Sequence, residues 1–248
     1  MRVETNERLV RRNRQIAQYL FFITFAVLIG GLLVINQGAQ GVDESNVVLI
    51  AIAQALLLPV AFISTVISVR MTNLWVRAPR PEDVIRESLK GLSNRSVLYN
   101  YHHIPARHVL ICPQGVYAIV TRFHEGKYAV QDDKWSARRS LPGRILSLLR
   151  FDGVGNPSAD AHRAAEHLKA LLAPMAPTIE VKPLIIFTDP RATVEVISSS
   201  VPVVQMETKA NKKVLLLKDV IKEVKGAKQI DPLTPDQIAA FEAATLHT

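Results

Sequence analysis

Two long runs of uncharged, mostly apolar residues near the start of the chain limit its possible folds more than any other feature. The first, Ile16 to Ile35, reads IAQYLFFITFAVLIGGLLVI. The second, Val47 to Val69, reads VVLIAIAQALLLPVAFISTVISV. A helix rises about 1.5 Å per residue, so about twenty residues cross the roughly 30 Å hydrocarbon core of a bilayer. The spacing predicts a transmembrane hairpin: helix 16–35, external loop 36–46, helix 47–69. Gly30 and Gly31 allow close helix packing, Pro59 predicts a kink, and Gln54 is either a polar residue that the helix simply tolerates, the commoner case, or one that bonds across to the first helix.

The flanks orient the hairpin. Arg2, Arg8, Arg11, Arg12 and Arg14 precede it in a basic segment, 1–15. Arg70, Arg77 and Arg80 follow it. The link carries Asp43 and Glu44 and no Lys or Arg. Positive charge stays on the cytosolic side. The expected location is therefore a cell (inner) membrane, with both termini and the soluble part in the cytosol. A cleaved leader is disfavoured, because the first run is long and no Ala-x-Ala site follows it.

From Arg70 onward 25 Lys and Arg face 18 Asp and Glu, so +7 of the chain's +8 sits on the soluble part. That charge suits anionic lipid headgroups or nucleic acid. The single cysteine, Cys112, excludes an intrachain disulfide and reads as a small core residue.

Pro81, Glu82 and Asp83 open an amphipathic helix expected to run to Leu92. Strand-like runs follow at Ser96–Tyr101, Arg107–Ile111, Val116–Phe123 and Lys127–Gln131, which predict an antiparallel meander. Asp132 to Asn156 is irregular and basic. Pro157 to Leu172 has a helical apolar stripe. Val181–Phe187, Val194–Ile197 and Val201–Gln205 read as strands, and Lys212–Val224 as a helix. Thr234-Pro-Asp-Gln237 reads as a capping box opening a last helix to about Ala244. The fold class is α/β (α+β), with a mixed central sheet flanked by helices. The soluble domain is expected over 80–225, followed by a helical tail at 226–248.

The ordered words Pro81-Glu-Asp-Val-Ile85, Arg107-His-Val-Leu-Ile111, Pro113-Gln-Gly-Val-Tyr-Ala-Ile119, Gly126-Lys127, Trp135 and Asn156-Pro157 resemble the NERD (nuclease-related domain) family. The resemblance covers about Arg80 to Leu217. It implies a restriction-endonuclease-like fold and a metal site of PD-(D/E)xK type. Such a site needs carboxylates on adjacent strands to hold Mg²⁺ and a lysine beside them. The family's pattern is a Glu on the first helix, an Asp opening the first meander strand, and Glu-x-Lys on the next. Carried over, these fall on Glu82, on Arg107 (His108 if the register slips by one), and on Val120 with Arg122. Two of the three carboxylates are gone, and arginine does not replace lysine in chemistry. The resemblance thus implies a pseudo-nuclease with no metal and no catalytic residue, serving as a binding or scaffolding module. Two alternatives stay open. One is a membrane-tethered nuclease using Mg²⁺ at a rearranged site, and the other a structural membrane-assembly protein.

Four further groups carry chemistry-bearing residue types. Glu125-Gly-Lys127 has Glu-x-Lys spacing but reads as a hairpin turn. His162, Glu166 and His167 read as an exposed helix face, and His102-His103 as a loop or strand-edge pair. Lys134, Arg138, Arg139, Arg144 and Arg150 alternate with Leu141, Ile145, Leu146, Leu148, Leu149 and Phe151. The first reading is a lid packing its leucines on the core. Next come a surface resting on anionic headgroups and a phosphate-contacting patch for nucleic acid. The protein partner is not legible.

Overall fold

Pro81 begins the soluble domain's first helix because a proline at the first helical position loses no hydrogen bond, and Glu82 and Asp83 complement that positive end. The computed structural model describes residues 1–39, 47–138, 153–206, 217–223 and 232–246. In chain order the elements are β1 (Arg2–Thr5), α1 (Glu7–Ala39), α2 (Val47–Trp75), α3 (Pro81–Ser88), β2 (Val97–His103), β3 (Ala106–Cys112) and β4 (Gly115–Arg122). Then follow β5 (Gly126–Gln131), β6 (Lys134–Ala137), α4 (Pro157–Leu172), β7 (Val181–Phe187), β8 (Ala192–Val196), β9 (Val203–Gln205), α5 (Leu217–Glu223) and α6 (Pro235–Thr245).

The described residues form two units: Arg8–Ala78, and Met1–Glu7 joined with everything from Pro79 onward. In the first unit, α1 and α2 are long and apolar enough to cross a membrane. Their apolar side chains, Phe22 and Leu58 among them, are exposed. A Cβ on Gly31 would lie 2.5 Å from Leu57, so glycine there is what lets that leucine seat. Gly30 has open space around it. Bonds across the pair run from Thr24 Oγ1 to the Ser64 carbonyl and from Arg14 Nε to the Trp75 carbonyl, each 3.2 Å, and neither involves Gln54.

In the second unit a six-stranded mixed sheet runs in the order β1-β2-β3-β4-β7-β9. The β2-β3-β4 meander is antiparallel, as expected. β1, β7 and β9 each join in parallel. β1 lies within the 1–15 segment read as merely basic, and α1 starts at Glu7, well before Ile16.

The meander's expected fourth strand departs from this pattern. β5 does not return along β4. It forms a separate sheet, β6-β5-β8, because the place beside β4 is taken by β7, with Ile119 opposite Leu184 and Arg122 opposite Phe187. Adjacent runs usually pair, but a parallel partner arriving over α4 displaces the neighbour here. β6 also falls in the stretch expected to be irregular. Gln205 joins the two sheets: its side-chain amide accepts from Val194 N at 2.8 Å and donates to Val194 O at 2.9 Å.

Both faces of the large sheet are covered, so alternate residues pack in opposite directions. Tyr99, Val109, Ala118, Val120, Ile185 and Phe187 meet Ala161, Ala164, Leu168 and Leu172 of α4 and Phe241 of α6. Leu98, Leu110, Ile119, Leu184 and Ile186 meet Ile85 and Leu89 at α3, and Leu217 and Ile221 of α5. The capping box at α6 is present, with Thr234 Oγ1 accepting from Gln237 N and the Gln237 side chain accepting from Thr234 N.

Candidate functional site

Glu82 sits in the first turn of α3, where a helix acid is expected on structural grounds alone. Its carboxylate accepts a hydrogen bond from the Tyr101 hydroxyl at 2.8 Å. Tyr101 lies at the irregularity in the β2-β3 register with φ of 65°. Its ring meets His108 edge-on, centroids 4.9 Å apart.

His108 occupies the position one residue along from Arg107 and is fully buried. Its Nδ1 lies 2.8 Å from Asn100 Oδ1, and Asn100 Nδ2 donates to Thr5 Oγ1 at 3.1 Å. A polar chain therefore ties β1 to the sheet interior. Among the described residues His108 Nε2 has no hydrogen-bond partner. Burial, then the nearby Arg107 charge, pushes the imidazole down to about 3, so the ring is neutral at ordinary pH.

The strand positions come together as cation and hydrocarbon. His108 pairs with Ile119, which places Arg107 and Val120 next along the same ladder, with Arg122 two residues beyond Val120. Val120 is buried in the core facing α4. Arg122, its side chain only 14% exposed, binds Asp160 of α4 at 2.5 Å. Its Nε donates to the Val154 carbonyl at 3.0 Å and its Nη1 to the Thr121 carbonyl at 3.2 Å. Burial lowers the Arg122 pKa; Asp160 opposes that shift and Arg107 adds to it. Arg107 is half-buried and makes no hydrogen bond or ion pair among the described residues. Among those residues no group of three or more His, Cys, Asp or Glu side chains could hold a metal ion.

The remaining candidates have structural partners. Glu125 and Arg191 are 2.6 Å apart, and Arg191 also closes on the buried Asp189 at 3.1 Å. Gly126 has φ of 114°, a conformation that suits glycine, but it lies at the entry to the second sheet rather than in a β4-β5 hairpin. His162 Nε2 lies 2.8 Å from Ser200 Oγ. His162 and Glu166 are exposed and His167 is half-buried. His103 differs from the strand-edge reading. It is buried, stacked on Phe241 at 4.7 Å and bonded to Thr245 Oγ1 at 2.9 Å, because α6 covers that end of β2.

In the basic stretch, Lys134 is exposed on β6 and Arg138 pairs with Glu195 at 2.8 Å. Arg139, Arg144, Arg150 and the interleaved leucines lie outside the described residues. Trp135 donates from Nε1 to Ser158 Oγ at 2.9 Å and stacks on Phe187 at 5.7 Å, so its ring is committed to the core.

Asp160 and Asp133 were not singled out by the sequence. Asp160 is legible only once α4 is placed over β4. Asp133, with φ of 58°, accepts from Ser199 Oγ at 3.2 Å and Ser200 N at 3.0 Å. Hydrogen bonds, the Ser200 side chain's foremost, hold its carboxyl below the usual range.

Residues 81–188 match the nuclease-related domain, NERD. The match opens at Pro81 of α3 and closes one residue past β7. No curated protein and no solved structure matches the chain.

Proposed function

We propose, from the premise that this chain carries a NERD domain over residues 81–188, that it is a membrane-anchored pseudo-nuclease acting as a binding or scaffolding module. The observation that supports this most is the side-chain set on β3 and β4. Of the two strand positions where a metal would need carboxylates, Arg107 brings positive charge and Val120 brings no ligand atom, while Arg122 stands at the lysine position with its guanidinium bound to Asp160. Mg²⁺-assisted cleavage of a phosphodiester would need protein carboxylates to hold the cation where it could polarise the phosphate. Asp160 is the carboxylate at Arg122, and it neutralises the guanidinium.

The anchoring part of the proposal rests on α1 and α2. Arg2–Thr5, ahead of α1, and Val97–Asn100, after α2, share one sheet. A domain built from both flanks requires the chain to leave and return on one side of any bilayer it crosses. The arginine flanks and acidic link put that side in the cytosol. The pairing also makes β1 a component of the domain, so a fragment starting at Arg80 would lack an edge strand.

The test is cleavage of single- and double-stranded DNA and RNA by the full chain in detergent, with Mg²⁺ and with Mn²⁺. No cleavage is expected. Metal-dependent cleavage that disappears in Glu82→Ala would overturn the proposal in favour of the tethered nuclease.

A further inference from the structure

The second sheet, β6-β5-β8, has two unlike faces. Strand alternation turns Tyr128, Val130, Trp135 and Val194 to one side, where they pack into the core. Lys127 of β5 and Lys134 of β6 belong to the other side, and both are exposed. Arg138, also exposed, extends β6 opposite Lys127, its N donating to the Lys127 carbonyl at 2.8 Å. Glu195 of β8, opposite Ala129, is the one acid among the strand residues of this side, and its 2.8 Å ion pair with Arg138 reaches across β5. The acids of the β5-β6 turn are taken up by serines: Asp132 accepts from Ser198 Oγ at 2.7 Å, and Asp133 from Ser199 Oγ and Ser200 N. Hydrocarbon lies beside these cations. Among the described residues of the domain the exposed large apolar side chains are Ile104, Val196 and Ile197. The last two are adjacent at the end of β8, and Ile197 N donates to the Val130 carbonyl at 3.0 Å, which holds that end to the same sheet.

We propose that this outer face of the β6-β5-β8 sheet docks on an anionic bilayer surface, with Lys127, Lys134 and Arg138 on headgroup phosphates and Val196 and Ile197 reaching between the acyl chains. The inference rests on the membrane-anchored part of the proposed function and names the partner of the domain's surface. Basic side chains beside exposed aliphatic ones are what an interfacial surface needs, because charge draws it to anionic lipid and apolar area holds it there. Nucleic acid would use the cations but leave the aliphatic pair idle. Both aromatic rings of the sheet, Tyr128 and Trp135, are turned into the core rather than offered to bases. The chain also keeps a bilayer within reach. Residues 76–80 alone separate α2 from α3, at most about 20 Å when fully extended, and Asn6 alone separates β1 from α1. Three cations adsorb a free domain only loosely; on a tether they set which face it presents.

The experiment places the full chain in nanodiscs of phosphatidylcholine, with or without phosphatidylglycerol, and reads an environment-sensitive fluorophore on Ile197→Cys; Cys112 is buried. Emission is expected to brighten and shift to the blue with phosphatidylglycerol and to revert at high salt. The same label on Lys169→Cys, exposed on α4, should not respond. Combining Lys127→Gln, Lys134→Gln and Arg138→Gln should weaken docking on the order of a hundredfold and abolish the shift, with an unchanged melting temperature because exposed ion pairs add little to stability. Glu195→Gln removes the acid of this face and should tighten docking by about fivefold, a gain that misfolding cannot imitate. Equal emission in both lipids, an equal response at position 169, or a full response in the triple variant each overturns the lipid face. So does a shift produced by duplex DNA and not by phosphatidylglycerol, which would assign the face to nucleic acid. A chain that fails to enter the discs overturns the anchored reading itself.

Discussion

The helix pair and the sheet domain use the same apolar residue types turned in opposite directions. On α1 and α2, Phe22 is 65% and Leu58 73% exposed; in the sheet domain Phe241 and Leu98 are fully buried. A protein that meets water on all sides hides such residues, as the domain does. An apolar exterior over two helices of this length instead suits hydrocarbon as solvent. One chain thus carries two opposite patterns of apolar exposure, and the candidate site residues lie in the part that buries its apolar side chains.

The sharpest way to break this comparison is to remove one side of it. Replacing Arg8–Ala78 by a flexible linker should move the protein from the membrane fraction to the soluble fraction. Retention in the membrane fraction would mean that the domain itself carries the attachment. The next largest effect compares matched substitutions. Phe241→Ala removes a fully buried ring packed on Tyr99 and His103 and should cost the domain about 3–5 kcal/mol in denaturant unfolding. Phe22→Ala should leave that unfolding curve in place.

Acid should act on the domain alone. Burial lowers His103 to about 4 and His108 to about 3, from 6.5 in an unfolded chain. The unfolded chain therefore takes up these protons first. The associated stability is complete above pH 6.5 and is lost as pH falls toward 4 and 3. Melts across that window should show the decline, with a shallower slope in His103→Gln.

Smaller effects test how the ends of the domain are held. Glu242 of α6 accepts from Arg2 and, at 2.5 Å, from Tyr99. Glu242→Gln should cost about 1–3 kcal/mol by weakening charge-assisted bonds. Asn156, whose side chain caps α4 by accepting from Ala159 N at 3.1 Å, should cost about 1 kcal/mol when changed to Ala.

Much of the fold was legible where a single periodicity dominates. The boundaries of α4 and β7 follow from the Ala161-Ala164-Leu168-Leu172 stripe and from an unbroken apolar run. β1 was not legible, because Arg-Val-Glu-Thr is too short and polar to signal a strand, and its pairing with β2 spans the whole helix pair. The route of β5 was hidden for a similar reason: local order suggests a hairpin, while the contact that decides the matter joins β4 to a strand some sixty residues away. At the candidate site, Arg107, Val120 and Arg122 were readable one by one as the residues that fall on the family's strand pattern. Asp160, the partner of Arg122, was not, since only the packing of α4 brings it there.

The most direct test of the central claim is calorimetric titration of Mg²⁺ and Mn²⁺ into the full chain, beside a variant carrying Arg107→Asp, Val120→Glu and Arg122→Lys. The account predicts no site-specific heat for the natural chain and binding by the variant, if it folds. Saturable, one-to-one metal binding by the natural chain that is lost in Glu82→Ala would contradict it.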